Sequence, residues 1–304
     1  MKALKGLGTA LITPFKADKS VDYEALGRLL DTQLTGCVDY IVVLGTTGEA
    51  ATLTPDERCE VRRFIVDYTR KHAPISSLEG RSGEVFIPLV LGVGGNCTAT
   101  VCESLRTIDL TGFEAILSVC PYYNKPNQEG LYQHFCTIAE ASPIPVILYN
   151  VPGRTGVNLL PETVIRIWEA HPDKILGIKE ASGNIEQIKH LIDLSRESRV
   201  KSQEPLLVIS GDDGIACEVM EAGGAGLISV ASNAFPEDFR DIVHKKDQVK
   251  QAKYENMVRL LFKEGNPVGI KAVLAQKGII QNYLRLPLVT ASKELQEEIK
   301  KELA

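Results

Sequence analysis

A short apolar run at positions 175–179 ends in a lysine. This lysine is the residue of the chain whose position most directly suggests a chemical role. The run reads Ile-Leu-Gly-Ile-Lys, and Glu180 follows it. Because strand side chains alternate between faces, Lys179 and Glu180 would point to opposite sides of a strand. Burial disfavours the charged form of an amine, and a neutral amine can attack a carbonyl carbon to form a Schiff base. A salt-bridged or solvated lysine at a strand end is the alternative.

Polar residues follow other apolar runs too. Thr46 and Thr47 stand between two glycines and could hold a carboxylate with hydroxyl and backbone N–H groups, or cap a tight turn. Tyr149 lies two residues after Ile147, so both side chains would point to the same side of a strand, into the core. A tyrosine in a core is often structural. Arg154 is either a surface charge or a two-pronged clamp for a carboxylate.

No motif in the sequence predicts a metal or dinucleotide site. Asp212 and Asp213 could be metal ligands or a helix N-cap, and the cap is favoured because no third ligand is in view. The 5 histidines are far apart, and the 7 cysteines form no CxxC pair. Gly92-Val93-Gly94-Gly95-Asn96 lacks the dinucleotide fingerprint. These motifs therefore suggest neither a metal site nor a dinucleotide cofactor.

Composition narrows the class of protein. The chain has 304 residues, a net charge of -5 and no long basic run, which argues against nucleic acid as the main partner. No apolar run is long enough to span a membrane, and Met1–Phe15 lacks a signal-peptide pattern. With unpaired cysteines, these features predict a cytoplasmic protein.

Short apolar segments alternate with longer amphipathic segments along the chain. The polar residues described above lie at or just after the ends of the apolar segments. Eight strand candidates are each followed by a helix candidate: Gly8–Thr13, Tyr40–Leu44, Ile87–Gly92, Ala115–Val119, Val146–Tyr149, Ile175–Lys179, Leu206–Ser210 and Gly226–Ser229. Eight such units predict an α/β fold, a (β/α)8 TIM barrel, over residues 1–245. Residues 246–304 read as additional C-terminal helices packed on the barrel. Two polar insertions, Ser76–Glu84 and Glu197–Glu204, read as loops on the face opposite an active site.

The barrel prediction can be tested against the polar residues, because TIM barrels carry catalytic groups at the C-terminal ends of their strands. Lys179 and Tyr149 are the last residues of their strands, and the threonine pair and Arg154 follow the ends of two strands. This coincidence favours a functional interpretation over separate structural ones.

Several segments resemble the dihydrodipicolinate synthase / N-acetylneuraminate lyase family of class I aldolase-like barrels. The segments are Val42–Glu49, Pro121–Pro126, Tyr149–Pro152, Gly177–Ser182 and Asn266–Lys271. Tyr122-Tyr123 and the Arg-Thr-Gly that follows Tyr149 resemble the synthase branch, whereas the sialic-acid branch usually departs at the arginine.

The resemblance implies a condensation of pyruvate with aspartate-β-semialdehyde, on the route to diaminopimelate and lysine. Lys179 would form an imine with pyruvate, and Tyr149 would act as general acid and base with Thr47 and Tyr123 in a proton relay. Another pyruvate-dependent lyase of the same family, acting on a sialic acid or a 2-keto-3-deoxy sugar acid, is the alternative. A non-catalytic paralogue that keeps the fold is a third possibility.

The resemblance also implies binding residues and an assembly. Thr46 and Thr47 would hold the pyruvate carboxylate, Arg154 would bind the carboxylate of the aldehyde, and main-chain groups of Gly211 and Ile228 would line the pyruvate pocket. The family's counterpart of Tyr123 reaches in from a neighbouring subunit, which implies a tight dimer, commonly paired into a homotetramer.

Family members that lysine inhibits bind it at a cleft between subunits. The resemblance places this cleft around Ala50, Ala51, Pro55, Arg58, Asn96, Thr100 and Tyr122. Sensitive members carry histidines at the positions of Pro55 and Arg58 and a glutamate at that of Thr100. Arg58 would repel the ammonium of lysine, and Thr100 lacks a carboxylate to pair with it, so weak or absent feedback is expected.

Overall fold

A computed structural model describes residues 4–72, 86–198 and 205–304. Within these residues, eight parallel strands follow one another in chain order and close into a barrel. The strands are β1 (Gly6–Ala10), β2 (Tyr40–Val43), β3 (Leu89–Gly92), β4 (Ala115–Val119), β5 (Val146–Asn150), β6 (Ile175–Glu180), β7 (Leu207–Ser210) and β8 (Gly226–Ser229). The predicted (β/α)8 TIM barrel is confirmed.

Helices separate the strands and continue after the last one. They are α1 (Tyr23–Thr35), α2 (Pro55–His72), α3 (Thr98–Thr107), α4 (Gln128–Ala141), α5 (Pro152–Thr155), α6 (Pro161–Ala170), α7 (Ile185–Glu197), α8 (Ala216–Ala222), α9 (Pro236–Lys245), α10 (Gln248–Lys263), α11 (Val268–Gln276) and α12 (Lys293–Leu303). None of the described helices has both the length and the apolar character that a membrane span requires.

Side-chain caps explain where several helices begin. Thr54 and Glu57 form a reciprocal capping box at the start of α2: the Thr54 N–H donates to Glu57 Oε2 at 2.9 Å, and the Glu57 N–H donates to Thr54 Oγ1 at 3.2 Å. Each bond satisfies a backbone donor that the helix leaves unpaired. Asn127 and Asn184 cap α4 and α7 with a single bond each, in which the side-chain oxygen accepts from the backbone N–H three residues further on.

The chain separates into two compact units, one of residues 1–89 and 229–304 and the other of residues 90–228. In the first unit, α10 packs on α9, α11 and α12. The predicted boundary between a barrel of residues 1–245 and an extension of residues 246–304 stays a prediction. In the second unit, β4 to β8 pair in parallel, and the β5–β6 register matches Tyr149 with Lys179.

Two details differ from the sequence-based expectations. The first strand ends at Ala10 and not at Thr13, because the Ile12 N–H donates to Asn233 Oδ1 at 3.1 Å and leaves the ladder. The C-terminal region is not helical throughout: residues 277–292 contain no α-helix, since Gly278 has a φ of 72° and Pro287 cannot continue a helix.

The predicted insertions can be checked only in part. Ser76–Glu84 lies outside the described residues. Of Glu197–Glu204, the structure describes Glu197, the last residue of α7, and Ser198.

Candidate active site

Lys179 and Tyr149 lie side by side on the neighbouring strands β6 and β5. Lys179 Nζ is 4.6 Å from the centroid of the Tyr149 ring, within the range in which an ammonium interacts with an aromatic face. The two residues are only 6% and 7% exposed. The strand pairing therefore places an amine, which can attack a carbonyl, next to a phenol, which can donate and accept a proton.

Gly211 follows β7 and lies against the lysine. A Cβ atom built on Gly211 would be 2.8 Å from Lys179 Cε and 2.6 Å from the Ala181 Cβ. The Gly211 N–H donates to the Glu180 carbonyl at 2.7 Å, so the approach is fixed by the backbone. Ile228 is fully buried in β8, the strand that pairs with β7.

Arg154 lies on the single turn of α5, four residues after the end of β5, and its side chain is exposed. The turn is closed by backbone bonds from the Arg154 N–H to the Val151 carbonyl and from the Gly156 N–H to the Pro152 carbonyl, both 2.9 Å long. Gly156 ends the turn with a φ of 75°, a left-handed conformation that glycine adopts readily. A well-defined turn thus presents the guanidinium at the surface of its unit.

Tyr123 is 89% exposed and adopts a φ of 73°. Its neighbour Tyr122 is 45% exposed. The loop is tied down one residue later, where Asn124 Nδ2 donates to the Asn96 carbonyl at 2.8 Å. An aromatic side chain this exposed on an anchored loop is available for contacts with another molecule.

In the other unit, Thr46–Gly48 forms one 3-10 turn directly after β2. Thr46 is exposed, whereas Thr47 is only 2% exposed. Asn266 Nδ2 donates to Thr47 Oγ1 at 2.9 Å. The Thr47 oxygen therefore acts as an acceptor for Asn266, and its own proton stays available for donation.

The residue that ends this turn is buried and charged. Glu49 has a φ of 51° and forms an ion pair with Lys271, with both side chains fully buried. Glu49 Oε2 also accepts from the Arg285 N–H at 3.2 Å. Burial lowers the pKa of Lys271 to about 8, and the Glu49 carboxylate opposes that shift.

Sequence analysis assigned no role to Glu49, Asn266, Lys271 or Glu180. Asn266 and Lys271 stand in a segment that was noted for the resemblance alone. A usable signal was present, because Lys271 lies in the apolar stretch Val268–Leu274, and a lysine buried there requires a counter-ion. Glu180, directly after Lys179, is 1% exposed.

Asp212 is a cap, as predicted. Its Oδ1 accepts from the Gly214 N–H at 2.8 Å at the start of a 3-10 turn. Residues 4–72, 86–198 and 205–304 contain no group of three His, Cys, Asp or Glu side chains that could hold a metal ion.

A closed (β/α)8 barrel in which a buried strand lysine lies beside a tyrosine is the framework of a class I aldolase-type enzyme, which works through a lysine imine. Comparison with known proteins specifies the family. Residues 3–304 match the model of the dihydrodipicolinate synthetase family. The chain belongs to this family.

Relatives match over almost the whole chain. The 4-hydroxy-tetrahydrodipicolinate synthase of Parabacteroides distasonis is 47% identical over 307 residues, which cover 99% of this chain and 96% of the relative. A crystal structure of dihydrodipicolinate synthase from Thermotoga maritima is 37% identical with a TM-score of 0.88, and the match covers 99% of this chain and 98% of that one. The synthase of Acinetobacter baumannii, solved in complex with pyruvate, is 36% identical with a TM-score of 0.87 and covers 99% and 98%.

Proposed function

We propose that the protein catalyses the 4-hydroxy-tetrahydrodipicolinate synthase reaction, the condensation of pyruvate with aspartate-β-semialdehyde. The observation that carries the proposal is the buried Lys179 beside Tyr149 on paired strands. The names of the relatives and the pyruvate in the Acinetobacter baumannii complex support the choice of substrates.

The first half of the reaction loads pyruvate onto the lysine. Lys179 Nζ attacks the keto carbon, water leaves, and a protonated imine forms. The imine withdraws electrons from the pyruvate methyl group, which loses a proton to give an enamine. Tyr149 is the general acid and base of these transfers, with Thr47 and Tyr123 as the other members of its proton relay.

The second half makes the carbon–carbon bond. The enamine carbon attacks the aldehyde carbon, and the aldehyde oxygen gains a proton and becomes a hydroxyl. The amino group of the second substrate then attacks the imine carbon and displaces Lys179, which closes the ring. One water leaves over the whole cycle, and the free lysine is restored.

Binding roles follow from the charges of the substrates. Both carry carboxylates, so Thr46 and Thr47 hold that of pyruvate with hydroxyl and N–H groups, and the planar guanidinium of Arg154 holds that of the aldehyde. Main-chain groups of Gly211 and Ile228 line the pyruvate pocket. The imine is the electron sink, so the reaction requires neither an organic cofactor nor a metal.

We also propose that the active form is a homotetramer, a dimer of dimers in which Tyr123 serves the site of a neighbouring subunit. The exposure of Tyr123 on an anchored loop supports this assignment. The described cysteines are all free thiols, which agrees with a reducing cytoplasm as the place of the reaction.

Borohydride trapping tests the proposal. Reduction in the presence of pyruvate should add a three-carbon group to the peptide that contains Lys179, and Lys179→Ala should abolish the adduct. Lys189→Ala, at an exposed lysine on α7, is the matched control and should leave the adduct unchanged. An adduct on another lysine would overturn the mechanism. Turnover with a sugar acid but not with aspartate-β-semialdehyde would replace the synthase with a sugar acid lyase.

A further inference from the structure

Glu180 is a buried carboxylate surrounded by hydrogen-bond donors. Its Oε1 accepts from the Ser182 N–H at 2.7 Å, and its Oε2 accepts from Gln187 Nε2 at 3.1 Å. Asn150 Nδ2 lies between the two oxygens, 3.2 Å from Oε1 and 2.9 Å from Oε2. All three partners donate, so the site is complementary to an ionised carboxylate, which only accepts.

Asn150, the last residue of β5, connects this strand to Glu180, the last residue of β6, by hydrogen bonds. It pairs with Glu180 in the step after the Tyr149–Lys179 pair. Its Nδ2 also lies 2.7 Å from Asn158 Oδ1, and its Oδ1 accepts from the Leu159 N–H at 2.9 Å. The side-chain amide of Asn150 is fully buried. It therefore links the end of β5 to the end of β6 through Glu180, and to Asn158 and Leu159, which follow the turn that contains Arg154.

The far end of that segment is held a second time. Asn158 Nδ2 donates to Gln187 Oε1 at 2.7 Å, and Gln187 Nε2 lies 3.2 Å from Asn158 Oδ1. Gln128, the first residue of α4, donates to the Asn158 carbonyl at 2.7 Å and accepts from the Leu160 N–H at 3.2 Å. Hydrogen bonds thus hold both ends of the segment from Val151 to Asn158 close together, and the turn of this segment contains Arg154.

We propose that Glu180, Asn150, Asn158 and Gln187 form a loop clamp, in which Glu180 is the positioning residue that sets the place of Arg154 relative to the Tyr149–Lys179 pair. The inference rests on the proposed function, because it assigns Arg154 to the second substrate. The clamp acts on the second half-reaction. Imine formation needs pyruvate, Lys179 and the proton transfers of Tyr149, and none of these involves the Arg154 turn.

Glu180→Gln tests the clamp with the least change in shape. The amide at position 180 must direct its N–H bonds at a donor. Against Gln187 Nε2 it breaks the Glu180–Gln187 contact of the clamp, and against the Ser182 N–H it breaks the bond that holds the side chain at position 180 in place. We expect the KM for aspartate-β-semialdehyde to rise about tenfold or more, while the rate of borohydride trapping with pyruvate stays within about twofold. Glu186→Gln, at an exposed glutamate on α7, is the control and should change neither quantity.

A charge swap separates positioning from general stability. In the double variant E180Q/Q187E, the amide at position 180 can donate to a carboxylate at position 187, which can also accept from Asn158 Nδ2. We expect the double variant to recover most of the affinity for the aldehyde. If Glu180→Gln does not fold, Gln187→Ala at the half-buried end of the clamp should raise the same KM about threefold, with Gln133→Ala on α4 as its control.

An unchanged KM in Glu180→Gln or Gln187→Ala would overturn the clamp, and so would parallel losses of trapping rate and aldehyde affinity. These outcomes leave the proposed function intact as long as the wild-type enzyme condenses aspartate-β-semialdehyde. Absence of that activity in the wild type would overturn both proposals together.

Discussion

Gly211 lies so near Lys179 that a side chain at position 211 would collide with the lysine stem. A methyl group at position 211 would come within 2.8 Å of Lys179 Cε, a separation that packed carbon atoms do not reach. The Gly211 N–H is bonded to the Glu180 carbonyl, so the backbone cannot move away without breaking that bond. The Lys179 side chain must yield instead, and Ala181, whose Cβ would be 2.6 Å from the new methyl group, must shift as well.

Gly211→Ala should therefore disable Lys179 without removing it. We expect the rate of borohydride trapping with pyruvate to fall at least about tenfold, because a displaced amine loses the geometry that imine formation needs. Gly153→Ala is the matched control, since a Cβ atom there meets no atom within 4 Å, and it should keep the trapping rate. Normal trapping in Gly211→Ala would show that the lysine adapts to the methyl group.

Arg154→Ala should separate the two halves of the reaction in another way. Loss of a charge-assisted two-pronged contact should cost about 1.5–3 kcal/mol in binding of the aldehyde, seen as a rise in its KM. Pyruvate trapping on Lys179 should be little affected. Arg166→Ala, at an exposed arginine on α6 that pairs with Glu129, is the control. Equal losses in both measurements would indicate a structural role for Arg154.

The contribution of the buried Glu49–Lys271 ion pair to the free energy of unfolding should become measurable when only one partner is removed. Lys271→Met leaves a buried carboxylate without its ion-pair partner, and the free energy of unfolding should fall by about 3–5 kcal/mol. The double variant K271M/E49Q should recover a large part of this loss, because the amide still accepts from the Arg285 N–H. Urea unfolding at one fixed protein concentration measures both values. Additive losses in the double variant would contradict a direct ion pair.

The pKa of Glu180 predicts the sign of a pH effect on stability. Burial raises this pKa above its ordinary value of 4.5, although hydrogen bonds from Asn150, Ser182 and Gln187 oppose the shift. The folded chain thus takes up a proton at higher pH than the unfolded chain. The contribution of this group to the free energy of unfolding therefore falls as the pH rises from 4.5 through the folded-state pKa.

Unfolding of the wild type and of Glu180→Gln across that interval measures the effect. The stability of the wild type relative to the variant should decrease as the pH rises. A relative stability that increases with pH would mean that the hydrogen bonds outweigh burial and lower the pKa.

Lysine should inhibit the enzyme weakly or not at all. Arg58 and Thr100 are exposed on α2 and α3, and an arginine cannot lose its proton near neutral pH. Titration of lysine into the steady-state assay at saturating pyruvate measures the effect, and strong inhibition at submillimolar lysine would contradict it. The triple variant P55H/R58H/T100E restores the residues of sensitive members and should gain inhibition.

The sequence predicted the barrel because each strand and helix carries its own pattern of apolar residues and caps. Lys179 and Tyr149 could be paired from position alone, since parallel strands bring their C-terminal ends to one rim. Partners that lie in loops or come from remote parts of the chain were missed: Asn266 for Thr47, Lys271 for Glu49 and Asn158 for Asn150. These contacts depend on how loops fold back, and no periodic pattern encodes that.

The contacts of Asn266 and Lys271 have a consequence for synthesis on the ribosome. A nascent chain that has emerged as far as residue 245 contains all the residues that we assign to chemistry. Its Glu49 still lacks a counter-ion, and its Thr47 lacks the amide that holds the hydroxyl. A stop codon after α9 should thus give a protein that has lost no catalytic group and yet has no functional threonine turn. Translation completes the threonine turn only when the segment that contains Asn266 and Lys271 has been made.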